Sequence, residues 1–183
     1  MANARGMGPR RDAAERGRTD DSQTRIIQTN SAGDNVHIID PETNRVVGEI
    51  QGIEVGHGAA AAPDGSRLYF SNEADSTLDV VDGRTLRLMA KIPLTGRPNN
   101  ISARPDGSRV YVAVREGSGA VDVIDTKSLT LAKTIPTNGG VHNTFVTPDG
   151  RYVIAGTIVG KNLTVIDAET EEVVWVKEFD LGV

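Results

Sequence analysis

Two unrelated markers recur along this chain in step with one another. Pro-Asp-Gly begins at Pro63, Pro105 and Pro148, at intervals of 42 and 43 residues. An aspartate that closes a short apolar run stands at Asp40, Asp82, Asp125 and Asp167, at steps of 42, 43 and 42. Where one marker leads into the other, 23 residues always separate aspartate from proline. Two signals locked to one period mean an array of similar supersecondary units, each burying its apolar face against its neighbours.

Within a unit, four short apolar runs are separated by turn residues. In one unit these are Asn99 to Ala103, Arg109 to Val114, Ala120 to Ile124 and Leu131 to Ile135. Runs of about five or six residues, rich in Val, Ile, Leu and Tyr, have the length and composition of β-strands and are too short for stable helices. The punctuation has a mechanism. Pro presets φ at the first central position of a tight turn, Asp hydrogen-bonds to the backbone just ahead, and Gly accepts the positive φ that reverses the chain. Pro-Asp-Gly therefore predicts a hairpin. The segments from Asp40 to Thr43, Asp82 to Thr85, Asp125 to Ser128 and Asp167 to Thr170 place a carboxylate and a hydroxyl three apart, which predicts a side-chain-stabilised turn after the third strand. The Asp-x-Asp-x-Asp run of a calcium loop is missing.

Repeats of about 40 residues with four strands each predict an all-β fold, a β-propeller of four-stranded antiparallel blades. The residues Leu68-Tyr69-Phe70-Ser71-Asn72 and Val110-Tyr111-Val112-Ala113-Val114 follow Pro-Asp-Gly as aromatic-led strands, with Ile27-Gln28-Thr29-Asn30 a looser copy and Tyr152-Val153-Ile154-Ala155-Gly156 a departure. On these residues the chain resembles the bacterial YVTN-type β-propeller repeat family, from about Arg25 to Val183. The WD-repeat pattern fits less well: the single Trp, Trp175, lies in the fourth-strand run Val173 to Phe179, where it is expected to pack on an outer strand or edge. The expected organisation is a disordered leader over 1–24, then propeller repeats over 25–183. These divide into 25–62 (outer strands of the first blade and the next inner strand), 63–104, 105–147 and 148–183. About four blades are present. That is expected to be a fragment of a ring of about seven or eight, or else a half-ring that dimerises if the chain is complete.

Composition narrows the partners. A formal net charge of −5 argues against nucleic acid. No segment reaches the roughly 18 apolar residues of a membrane span. Cysteine is absent, which excludes disulfides, thiolate catalysis and cysteine-ligated metals. The leader carries charge but no apolar h-region, so it does not read as a signal peptide, although proteins of the resembled family are often periplasmic or cell-surface.

Phase alignment selects the candidate site. Six residues before each hairpin proline lie His57, Asn99 and His142, followed by Gly58, Asn100 and Asn143. They open the innermost strand of three consecutive blades, so rotation about the axis is expected to bring them to one height at the channel mouth. Converging imidazoles and amides suit an anion, a haem propionate, a metal or a polar small molecule. The competing reading is that they satisfy loop backbone and channel water. His37 has the phase equivalents Asp79, Asp122 and Thr164, read as a polar, solvated column. The Gly-rich run at Gly56 to Ala61 precedes a hairpin and not a helix, so it is no dinucleotide loop.

Three functions remain open. A non-catalytic binding or scaffold module would hold a small molecule or protein on the channel face, and no catalytic constellation in the sequence argues against it. A cofactor-carrying propeller is the second, since Val141 to Gly150, with Val165-Ile166-Asp167, is similar to the haem-binding propeller domain of periplasmic nitrite reductases. Haem is implied by that resemblance alone. A lactonase-like hydrolase is the third, because some sugar-lactone hydrolases resemble this repeat family; His57, His142 and Arg97 are its available residues. An enzyme is not expected.

Overall fold

The computed structural model describes residues 24–181, so the leader expected over 1–24 lies, except for Thr24, outside the described residues. Fifteen strands form four antiparallel sheets. The first sheet has three strands, β1 (Ile26–Thr29), β2 (Asn35–Asp40) and β3 (Arg45–Gln51). The second runs β4 (Gly56–Ala61), β5 (Arg67–Asn72), β6 (Thr77–Asp82) and β7 (Leu88–Pro93). The third runs β8 (Pro98–Ala103), β9 (Arg109–Val114), β10 (Ala120–Asp125) and β11 (Thr130–Pro136). The fourth runs β12 (Val141–Val146), β13 (Tyr152–Thr157), β14 (Asn162–Asp167) and β15 (Glu172–Glu178). Each is a meander in chain order, as short strands joined by tight turns require.

The sheets stack face to face in sequence and meet through their leading strands, β1 on β4, β4 on β8 and β8 on β12. Each junction has its own apolar cluster. Val36, Ile38 and Ile50 of the first sheet pack on Leu68, Phe70 and Val81 of the second. Tyr69, Leu78, Val80 and Ile92 pack on Ile101, Val110, Val112 and Ile124. Tyr111, Val121, Val123 and Ile135 pack on Val141, Val153, Ala155 and Ile166. Tyr69 and Tyr111 are the largest fully buried side chains, and burial pushes the Tyr111 hydroxyl up to about 12. At the closest approach, a Cβ added to Gly58 would sit 2.8 Å from the Ile101 nitrogen and 2.9 Å from the Asn99 oxygen. Only glycine lets β4 and β8 come so near.

The turns are built as their residues dictate. Gly65, Gly107 and Gly150 take φ of 69°, 74° and 71°, and Asp64, Asp106 and Asp149 accept hydrogen bonds from the amides of Ser66, Ser108 and Arg151 at 2.9, 2.9 and 3.1 Å. In the second turn family, Asp82 accepts from the Thr85 amide at 2.6 Å and hydroxyl at 2.8 Å, and Asp125 accepts from the Ser128 amide at 2.8 Å. Asp40 and Asp167 repeat this arrangement. The next residue is left-handed in all four, including Leu86 and Leu129 at 57° and 56°. A branched side chain in that region is uncommon.

These turns make stability acid-sensitive. Backbone hydrogen bonds from Thr85, Ser128 and Thr170 hold Asp82, Asp125 and Asp167 below the ordinary value of 3.8, and one from Glu42 does so for Asp40. A folded value below the unfolded one contributes stability that is complete above the unfolded value and is lost as pH falls through the folded values. Circular dichroism during acid titration is expected to show a stability plateau down to the ordinary carboxylate range, with loss beginning below it. The Asp82→Asn, Asp125→Asn double variant is expected to be less stable at neutral pH and flatter in acid. Loss of structure in the wild type near neutrality would rule these carboxylates out as the cause.

One expectation is corrected. The column through His37 was read as solvated, yet Asp79, Asp122 and Thr164 are buried. β6 and β10 have a sheet on each side, and in β14 the face that carries Thr164, beside Ala155, is covered by the third sheet, so a polar residue here needs an internal partner. Asp79 accepts from Asn72 Nδ2 at 3.0 Å and Thr77 Oγ1 at 2.6 Å; Asp122 accepts from the Thr95 amide at 2.8 Å and from Thr134 Oγ1 at 2.8 Å. Trp175 lies on the outer strand β15, half exposed.

Candidate functional site

Each leading strand begins with an irregularity. Register shifts between Gly56 and Ala59 in β4, between Pro98 and Ile101 in β8, and between Val141 and Asn143 in β12. His57, Asn99, Asn100 and His142 are therefore the residues of the bulges themselves. A bulge leaves residues out of the ladder and re-aims their side chains. Here it turns one residue from each of three sheets toward a common space.

That space is a cavity of about 670 Å³ whose wall includes His57, Asn99, His142 and Arg115. Arg115 heads the β9–β10 loop. Its Nη1 donates to Glu73 Oε2 at 3.2 Å, and His57 Nε2 meets the same oxygen at 2.9 Å. Glu73, largely buried, thus ties the second sheet to the third and fixes two cation-capable groups at the cavity wall. The His142 side chain makes no hydrogen bond among the described residues and is exposed. Ile158 and Val159 supply an exposed apolar lip.

The floor is glycine. A Cβ on Gly140 would lie 2.3 Å from the Arg115 oxygen, and one on Gly160 would lie 2.2 Å from the Asn138 oxygen. The loops following β9, β11 and β13 touch backbone to backbone as a result. Gly140 takes the phase position of Arg97 one unit earlier.

The other sequence candidates lie elsewhere. Arg97 turns outward to Glu116, with Nε 3.0 Å from Oε1, and lines a separate crease of about 240 Å³ with Val55, Glu73 and Ala74. Asn100 is outside the cavity wall, and its Oδ1 is buried without a partner among the described residues. Asn143 pairs with Gly156 in the ladder. Among the described residues no three His, Asp or Glu side chains converge as a metal site. A second crease of about 370 Å³, at the hairpin end of the second and third sheets, contains Asp64 and Asp106, whose carboxylates are engaged in their own turns.

No family model matches the chain, and no curated protein matches it. Its structure is similar to that of a chain of Kuenenia stuttgartiensis hydrazine synthase, a propeller-containing protein, with a TM-score of 0.78 and 28% identity over 85% of this chain. The fold is a β-propeller. This chain spans 46% of the hydrazine synthase chain it matches, and its four sheets are propeller blades. No helix among the described residues is long and apolar enough to cross a membrane.

Proposed function

We propose that this chain is a binding module of the YVTN repeat type that holds a small anionic or polar molecule at the mouth of its inner strands, without transforming it. The observation that carries this reading is the convergence of His57, Asn99 and His142, from three consecutive blades, with Arg115 on one cavity of about 670 Å³. That volume falls in the range of small-molecule sites, and the polar groups are donors set beside an apolar lip. Glu73, the carboxylate in contact with two wall residues, is held between His57 and Arg115 and so is poorly placed to act as the base that a lactone hydrolase requires.

Isothermal titration with inorganic phosphate and with citrate tests the reading. Arg115→Ala and His142→Ala are expected to weaken binding about 10-fold or more; His142→Ala leaves the melting temperature close to wild type, since its side chain is exposed, and Arg115→Ala lowers it modestly through the lost Glu73 contact. Equal loss of stability and binding would reduce these residues to structural parts. Haem, implied only by resemblance, finds one imidazole without a side-chain partner in this wall, that of His142. A Soret band on addition of haemin, abolished by His142→Ala, would move the reading to a cofactor-carrying propeller.

A further inference from the structure

The cavity wall changes character across the blades that form it. The loops that follow β5, β9 and β13 present, at one phase, Glu73-Ala74, Arg115-Glu116 and Ile158-Val159. The second and third blades thus bring charge to the rim, and the fourth brings two adjacent branched apolar side chains. Val159 is 90% exposed and takes little part in packing. Ala74 and Glu116 are exposed at the same phase although a blade follows each of them, so the bareness of Val159 belongs to the loop position.

The apolar loop is held in place. Asn162, fully buried at the head of β14, donates from Nδ2 to the Asn138 oxygen at 2.6 Å and to the Gly160 oxygen at 3.0 Å. It fastens the loop after β13 to the β11–β12 connection, whose residues Asn138 to Gly140 belong to the same wall. A surface ordered before the ligand arrives loses little entropy on binding. The charged side sets a limit of its own. Glu73 Oε2 lies 2.9 Å from His57 Nε2 and 3.2 Å from Arg115 Nη1, so one carboxylate already offsets part of the positive charge and repels further negative charge brought near it.

We propose that the ligand class of this cavity is a monocarboxylate with a short apolar body, its carboxylate on Arg115 and His142 and its body against Ile158 and Val159. The proposal rests on reading the cavity as a ligand site. A single charge uses the donors without the repulsion that a polyanion meets at Glu73, and the apolar body covers side chains that the chain itself leaves bare.

Calorimetric titration of the full chain with hexanoate, acetate, citrate and phosphate tests both levels. Hexanoate is expected to bind about 10-fold or more tightly than acetate, because each methylene buried against the lip adds affinity, and more tightly than citrate. Val159→Ser is expected to cut the hexanoate-to-acetate ratio about 3-fold or more, with an unchanged melting temperature confirming the fold. Arg115→Ala is expected to weaken both acids alike and so keep their ratio. Citrate or phosphate binding beside a hexanoate-to-acetate ratio near one overturns this proposal and leaves the anion-binding reading standing. Failure of all four ions to bind overturns both. Citrate binding more tightly than hexanoate, or a ratio that Val159→Ser leaves unchanged, overturns the proposal as well.

Discussion

Alanine at position 119 is expected to cost about 2–5 kcal/mol and to disorder the cavity floor. Gly119 has φ of 75°, and a Cβ there would stand 1.9 Å from the Gly139 oxygen and 2.5 Å from its carbonyl carbon. Both atoms are backbone, so no side chain can swing aside. Either the β11–β12 connection retreats or Gly119 leaves the left-handed region, and either movement breaks the bond from the Thr137 amide to the Gly119 oxygen at 3.2 Å. Gly117 is the internal control: its φ is 59°, but nothing lies within 4 Å of an added Cβ. Gly117→Ala should therefore cost only the left-handed penalty, about 1 kcal/mol. Urea unfolding of the two variants separates conformational strain from collision. Equal tolerance of alanine at both positions would show that the loops after β9 and β11 are not packed backbone to backbone.

The sequence was most legible where a feature depends on residues close along the chain. Pro-Asp-Gly and the Asp-x-x-Thr or Ser turns carry their own hydrogen-bond partners, so period and strand order could be read from spacing. His57, Asn99 and His142 were visible because they share one phase, and rotation about an axis converts shared phase into shared height. Arg115 and Glu73 were not visible in this way. Their column reads Glu73, Arg115, Ile158, three residues with no common chemistry, and the ion pair forms between adjacent blades instead of repeating around the ring. Arg97, offered with His57 and His142 for a hydrolase site, pairs with Glu116 outside the cavity, where its phase partner Gly140 lies in the wall and meets the Arg115 backbone. The His37 column failed for another reason. Polar residues alternating with apolar ones ordinarily mark the wet face of an antiparallel sheet, whereas a blade has neighbours on both faces. The same letters then signify an internal hydrogen-bond network.

That network supplies the second large effect. Asp122→Ala is expected to destabilise the chain by about 2–4 kcal/mol. The carboxylate is fully buried and accepts from the Thr95 amide, from Thr95 Oγ1 at 2.9 and 3.0 Å, and from Thr134 Oγ1. Thr95 belongs to the connection between the second and third blades, so one aspartate of β10 pins the strand end of its own blade and the link that delivers the chain to β8. Alanine removes charge-assisted bonds whose donors then face a small void. Asp122→Asn keeps the shape and can leave its oxygen to the Thr95 amide while its new N–H donates to a threonine hydroxyl, but it loses the charge and one accepted bond. Asparagine should fall between alanine and wild type. Thermal unfolding with amide exchange at Thr95 distinguishes the causes: exchange at Thr95 should quicken in both variants, more in alanine. An alanine variant with wild-type stability and unchanged Thr95 exchange would mean that the link is held without Asp122, through the bonds from the Leu94 amide to the Ser76 oxygen and from the Arg115 amide to the Arg97 oxygen, both at 3.0 Å.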